Sequence, residues 1–525
     1  MPSSRPRSWK RAALRRLGGK GLPVAGRAPF SPQNEFRPVG QGYRHLPFRF
    51  ARVPGVAGKV LVTSEVGEFE FLTDAEFRTF AAGTLDEASD TYANLQAKHF
   101  LVEGDASTAI RLVAAKYRTR KSFLRSGPAL HVFVVTLRCD HSCRYCQVSR
   151  RAPDESCFDM SEETALAAID RVFEVPSRTI TVEFQGGEPL LAFPRIRQIV
   201  EAIEERNQSE RRCFTYTMTS TLHLVDDEML AFFREHGFQL STSLDGPAGL
   251  HDANRPMPGR DSHRRTVEAI DRTRAALGPH AVSALTTLSR TSLEHPEAII
   301  DEYVRLGFPS VFLRPLSPFG FAARSAQRIG YTTEEFLRFY ERALAYILKL
   351  NREGIRLQEA YAAILLTHIL TPFPTGYADL RSPTGSGLGA LVYNYDGQVY
   401  ASDESRMLAE MGDQTFRLGG VHDRYTDLTA SEAMQVLLAT GVAEALPGCS
   451  DCAFLPYCGA DPVFNLTREG DPVGHRPTNE HCRKHTGLFQ ILFRYLAEAD
   501  PHVMSTFTSW ATQRPVQCLP GAEAA

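Results

Sequence analysis

The residues best suited to chemistry are Cys139, Cys143 and Cys146, spaced CxxxCxxC directly after the apolar run 131–137. Three thiolates on one short loop can hold three irons of a cubane cluster. With no fourth cysteine close by, one iron is left open to an outside ligand, which a structural cluster does not need and a catalytic one does. Zinc is the other use of such thiolates, but a zinc site closes at four ligands and usually takes them as two short pairs. Nothing just downstream supplies a second pair. A second group stands far away: Cys449, Cys452 and Cys458, spaced CxxC-x5-C, with Cys482 beyond them. Four thiolates close either a cluster or a zinc site, and spacing alone favours zinc.

The elements that must position these residues alternate regularly. Strands are predicted over 131–137, 179–184, 213–219, 239–244, 281–288 and 310–315, and helices near 162–174, 193–206, 226–236, 264–277, 295–306 and 333–352. Six strand–helix units with short links imply parallel strands, right-handed crossovers and a curved sheet. Chemistry in such barrels gathers at the C-terminal ends of the strands, and the CxxxCxxC loop leaves that end of the first. The second strand ends in Gln185-Gly186-Gly187-Glu188-Pro189. Its two glycines allow a tight turn and close backbone approach, and Glu188 offers an acceptor for an ammonium group. The fourth ends in Ser243-Leu244-Asp245-Gly246-Pro247, followed by His251-Asp252-Ala253-Asn254-Arg255. Thr286, Thr287 and Arg314, on the fifth and sixth strands, are expected to point toward the mouth. Cys213 opens the third strand and reads as a core residue.

Composition bounds the remaining classes. The chain has 525 residues, a formal net charge of -2 and ten cysteines. That balance gives no field for nucleic acid, and no apolar run is long enough to span a bilayer. Tight cysteine groups in a long chain without an export signal argue for metal or cluster ligands in a reducing compartment, hence a cytoplasmic location. The first thirty residues carry eight Lys and Arg and no acid, which reads as a disordered basic tail or an over-called start. The expected organisation is a basic tail at 1–45, a small α+β unit with its linker at 46–125, the barrel at 126–355, a cysteine-bearing domain at 356–500 and a tail at 501–525. In the small unit, strands are predicted at 59–63, 68–72 and 99–102, helices from Thr73 and around 93–98, and a basic linker over 116–121.

CxxxCxxC with Tyr145 before the third cysteine, GGEP one unit later and SLDGP…HDxxR at the fourth strand together resemble the radical S-adenosylmethionine (SAM) enzymes, in their peptide-modifying branch. The resemblance implies a [4Fe-4S] cluster on Cys139, Cys143 and Cys146 whose open iron is chelated by SAM. It further implies Tyr145 near the adenine, Gly186, Gly187 and Glu188 at SAM's amino group, and Ser243 and Arg255 at its carboxylate. The third strand departs from the branch: Ser220 stands where an Asn is common and is assigned no contact. Residues 356–500 resemble a SPASM extension, which normally carries two auxiliary clusters. Here Ser402 stands at a ligand position of the first, and Ala460-Asp461-Pro462 replaces another. The second ligand set is complete in Cys449, Cys452, Cys458 and Cys482. Asp403 occupies the place of the base in sulfatase maturases.

The implied fold is α/β: a partial (β/α)6 TIM-like barrel with a small winged-helix-like N-terminal domain and a C-terminal SPASM-like iron–sulfur domain. The similar family is the radical SAM maturase of the His-Xaa-Ser peptide system. Its implied partners are a ribosomally made precursor peptide, a flavodoxin- or ferredoxin-type electron donor and a second radical SAM maturase, with neither nucleic acid nor a membrane span. Two alternatives stand beside it: a sulfatase maturase making formylglycine, and a non-catalytic iron–sulfur protein that holds a precursor peptide for a partner enzyme. Anaerobic reconstitution followed by iron and sulfide analysis is expected to give about eight of each per chain, four for each of two cubanes; about twelve would mean that the first auxiliary site is filled after all.

Overall fold

The computed structural model describes residues 42–515; the basic stretch 1–41 and Cys518 lie outside the described residues. Six parallel strands, Leu130–Thr136, Thr179–Gly186, Cys213–Thr219, Gln239–Ser243, Val282–Thr287 and Leu313–Arg314, lie side by side in chain order. Helices Glu162–Glu174, Phe193–Glu210, Asp227–Glu235, Ser262–Leu277, Pro296–Arg305 and Thr333–Arg352 follow them in turn. Strand alternation separates two faces. Ile180, Val182 and Phe184 are fully buried against the helices, whereas Thr181, Glu183 and Gln185 are half-buried on the concave side. The helices answer with apolar stripes, as in Ile196, Ile199, Val200 and Ile203, all buried.

Several expectations are corrected. The sixth strand is broken: Ser310–Val311 pairs with Gln358–Glu359, and only Leu313–Arg314 joins the barrel sheet. Ala390–Tyr393, placed by sequence in the C-terminal domain, runs parallel to the first barrel strand, with Val392 opposite Val132. Gln398–Tyr400 and Arg417–Gly420 extend the sheet to nine strands. The expected tail begins with a helix, Pro501–Thr512, capped by Asp500. Its stripe of Val503, Phe507 and Trp510 is buried, and the Thr367 hydroxyl donates to the Ala511 carbonyl at 3.2 Å. The basic linker is the last turn of helix Ser107–Arg120, whose Ala, Leu, Lys and Arg are strong helix formers. Cys213 is exposed, because it sits at the N-terminal rim of its strand. Thr286 is fully buried on the helix side, leaving Thr287 on the half-buried concave side.

The N-terminal unit holds a three-stranded antiparallel sheet, Phe48–Ala51, Lys59–Ser64 and Phe69–Thr73. Arg44–His45, read as tail, pairs with Leu101–Val102. Helix Asp74–Ala82 starts in a reciprocal capping box of Thr73 and Glu76. Val60 and Val62 pack into this unit's own core with Phe80 and Leu95, while Leu61 belongs to the core of the rest of the protein. Arg120 ties the parts together. Its guanidinium donates to the carbonyls of Val66, His368 (3.0 Å), Thr371 (3.2 Å) and Pro456 (3.3 Å). Gly67, at φ 77°, leaves the room it needs: a Cβ there would lie 2.2 Å from Nη2. Arg120→Met would strand these carbonyls and is expected to cost on the order of 3 kcal/mol, read as a lowered denaturation midpoint in chemical unfolding.

Candidate functional site

The CxxxCxxC loop is held by backbone contacts from three directions. The Gly187 N–H donates to the Thr136 carbonyl at 3.0 Å and the Glu188 N–H to that of Arg138 at 2.7 Å. A Cβ on Gly187 would lie 2.3 Å from the Arg138 oxygen, so only glycine permits this approach. The Ser142 and Arg144 N–H groups donate to the carbonyls of Pro256 (2.9 Å) and Asn254 (3.1 Å), and the Phe321 N–H to that of Cys146 (2.8 Å). The loop is thereby fixed at the C-terminal edge of the sheet.

The Cys139 thiol feels the charge of Cys143, and Cys143 that of Cys146. Burial pushes the Cys143 thiol up to about 11, against the pull of the Arg255 guanidinium. Arg255 is 9% exposed. Burial works against its charge, but Cys143, Tyr145 and Asp245 hold it protonated above the ordinary range. Its Nη1 donates to the Tyr145 hydroxyl at 2.9 Å, and that hydroxyl donates to Asp245 Oδ2 at 2.5 Å. Asp245 also accepts the Thr287 N–H at 3.2 Å. Ser243 ends the fourth strand on the half-buried concave side.

Glu188 is fully buried. It accepts the Ser220 hydroxyl (2.6 Å), the Thr221 N–H (2.7 Å) and the Leu190 N–H (3.1 Å). Burial, helped by the Asp140 charge, still holds its carboxyl above the usual range. Ser220, left unassigned by sequence, therefore has a role: it ties the end of the third strand to Glu188. Sequence also missed a histidine network beside the loop. His141 bonds Asp140 (2.8 Å) and Ser262 (3.0 Å), and Ser262 bonds His251 (3.1 Å). His223 lies with Asp140 and His141 in one group. His251 in the HDxxR stretch was the available signal.

The distant cysteines also come together. Cys449, Cys452, Cys458 and Cys482 are half-buried, and their thiols act on one another's ionisation. A crowd of charge gathers around the helix that follows Ser402. Asp403 is bound by Arg406 through Nε (3.0 Å) and Nη2 (2.9 Å), and Arg406 is only 1% exposed. Asp403 acts in turn on Glu183, which also feels Arg314. Ser402 caps helix Asp403–Glu410 in a box with Ser405. Burial together with Asp379, Asp403 and Asp461 pushes Glu404 up to about 8. Burial and Asp379 push Asp461 up to about 7, against the pull of Lys484.

Residues 133–313 match the family described as the Radical SAM superfamily. The barrel is a radical SAM domain. The chain is accordingly an enzyme. Over 361 residues it is 26% identical to the serine-type anaerobic sulfatase-maturating enzyme of Klebsiella aerogenes, covering 66% of this chain and 83% of the relative. It is 22% identical to the cysteine-type anaerobic sulfatase-maturating enzyme of Clostridium perfringens over 370 residues, 68% of this chain and 93% of that one. The fold is similar to that of native anSMEcpe with bound AdoMet, at a TM-score of 0.58 and 17% identity, covering 70% of this chain and 98% of the other. No helix among the described residues is long and apolar enough to cross a membrane.

The raised acidity constants set a pH dependence. Glu404 in the folded chain titrates near 8 instead of 4.5, so folding favours its neutral form. Its contribution to stability is whole below about pH 4.5 and is lost as pH rises through about 8. Glu404→Gln is expected to flatten the fall in Tm across that window, measured by thermal unfolding at a series of pH values.

Proposed function

We propose that this chain is a radical SAM peptide maturase, in which Cys139, Cys143 and Cys146 hold a [4Fe-4S] cluster that binds SAM. The observation that carries the reading is the placement of three cysteines on one loop, fixed by backbone contacts at the strand mouth, inside a domain that matches this superfamily. The donor set suits the cluster: crowded thiols whose burial resists ionisation are relieved by bound iron. When bound, cluster and SAM supply a 5'-deoxyadenosyl radical by one-electron cleavage of SAM.

The chain's own residues bind and orient. Arg255 and Ser243 take the methionyl carboxylate, the guanidinium fork matching it. Asp245 fixes the Tyr145 hydroxyl, keeping the ring in place beside the adenine. Gly186 and Gly187 bring the backbone close to the amino group. Glu188 has three of its roughly four acceptor sites filled by protein donors, leaving one for the ammonium. Asp403, positioned by Arg406, would accept a proton from the bound substrate. Cys449, Cys452, Cys458 and Cys482 hold one closed auxiliary cluster, and Ser402 holds a helix where a further ligand would stand.

The substrate proposed is a ribosomally made peptide of the His-Xaa-Ser type, reached in a reducing cytoplasm with a flavodoxin- or ferredoxin-type donor and a second radical SAM maturase. The N-terminal unit is proposed to hold that precursor. Support for a peptide substrate comes from the relatives, which are named as enzymes that mature sulfatases. Those same names favour a second reading, formylglycine formation on a sulfatase; the absent first auxiliary ligand set weighs against it.

Anaerobically reconstituted protein with dithionite and SAM is expected to release 5'-deoxyadenosine, and Cys143→Ala to release none. A wild-type protein without SAM cleavage would point to a peptide-holding role. Mass spectrometry then separates the substrates. A synthetic peptide of His-Ala-Ser repeats should change mass. Loss of two hydrogens from the target serine of a sulfatase-derived peptide, or the same loss with sulfur exchanged for oxygen at a target cysteine, with the repeat peptide unchanged, would select the second reading.

A further inference from the structure

The N-terminal sheet does more than sit beside the auxiliary cysteines. Strand alternation sends Val60 and Val62 into the unit's own core and Leu61 and Thr63 the other way, toward the loop that carries Cys449, Cys452 and Cys458. Thr63 is fully buried, and its hydroxyl donates to the Ala453 carbonyl at 2.8 Å. That carbonyl belongs to the Ala453–Phe454 peptide, whose other end, the Phe454 N–H, donates to the Cys452 sulfur at 3.4 Å. One planar peptide therefore connects the Thr63 hydroxyl to a sulfur ligand. Accepting at its oxygen polarises the group and fixes the direction of its N–H.

Arg49, on the first strand of the same sheet, donates through Nε to the Ser450 carbonyl at 2.5 Å, inside the CxxC turn. Its Nη1 lies 2.9 Å from Glu65, and the pair is mostly shielded, at 13% and 32% exposure. The Arg49 charge also acts on the Cys452 thiol, favouring its ionised form. Two further contacts hold the sheet in register with the loop. The Tyr457 hydroxyl donates to the Gly67 carbonyl at 3.1 Å, and Phe69 packs edge-on against Phe493 with ring centroids 5.2 Å apart.

We propose that the N-terminal unit tunes the auxiliary site, with Thr63 and Arg49 as positioning residues that set the charge felt at the Cys452 sulfur. The inference rests on the reading of the four distant cysteines as cluster ligands. One-electron reduction adds a negative charge there. A donor aimed at the sulfur and a cation beside the loop both stabilise the reduced state, so both raise the reduction potential.

The test uses the full-length chain carrying Cys139→Ala, Cys143→Ala and Cys146→Ala, so that only the auxiliary site takes up iron. Anaerobic potentiometric titration followed by electron paramagnetic resonance reads its midpoint potential, beside iron and zinc analysis. Thr63→Val and Arg49→Gln are each expected to leave iron content unchanged and to shift the one-electron equilibrium toward the oxidised form by about tenfold, or about 59 mV. Thr63→Ser should restore the wild-type value. Glu65→Gln, which removes the acid opposing Arg49, should shift it the other way. Potentials unmoved by Thr63→Val and Arg49→Gln, or shifts of one sign for Arg49→Gln and Glu65→Gln, would overturn the tuning while leaving the cluster reading intact. Zinc in place of iron would overturn both.

Discussion

The site depends on a close backbone contact between the ends of two neighbouring strands. The second strand can lie against the exit of the first only because Gly186 and Gly187 have no side chains: Cβ atoms there would fall 2.2 and 2.3 Å from carbonyl oxygens of Thr136 and Arg138. That contact satisfies backbone groups which a shorter sheet would leave open. It also sets where the CxxxCxxC loop begins its turn. From this one approach follow the position of the thiols, the burial of Glu188 under Ser220, and the reach of Arg255 to Tyr145. The apolar strand faces and helix stripes hold the sheet; the glycine pair decides what its edge can carry.

A second theme is unbalanced charge kept inside the protein. Asp403 is paired with a buried arginine, whereas Glu404 and Asp461 crowd against Asp379 with Lys484 opposing. Burying carboxylates that repel one another opposes folding unless they hold protons. Such arrangements concentrate where chemistry is done. Asp403 in turn acts on Glu183, on the second barrel strand, which also feels Arg314.

Much of this was legible beforehand because it is local. Helices 162–174 and 333–352 were marked by their place in the strand–helix alternation, and the strand-end motifs fell where six repeated units put them. What escaped was set by pairing across distance. Ala390–Tyr393 reads as a strand, but nothing in it says that Leu130–Thr136 is its neighbour. Cys213 has the type of a core residue and the position of a rim residue, and position prevailed. Thr286 and Thr287 both look polar, and only register tells which faces the lumen. The helix at Pro501 carried an apolar stripe and an aspartate cap, so its signal was present and outweighed by its place near the chain end. Arg406 could not be read as Asp403's partner until the Ser402 cap fixed the helix that carries both.

The interlock between the N-terminal sheet and the auxiliary loop bears on how such a protein can be rebuilt or inherited. The two segments are separated by the entire barrel in the chain, yet they share one buried surface: Thr63 on Ala453, Tyr457 on Gly67 and Arg120 on Pro456. The N-terminal unit is therefore not a cassette. A chimera that exchanged it for a foreign domain would have to bring a matching cysteine loop with it. In a lineage, these two distant stretches of the gene would be expected to change in concert while the barrel between them drifts on its own schedule.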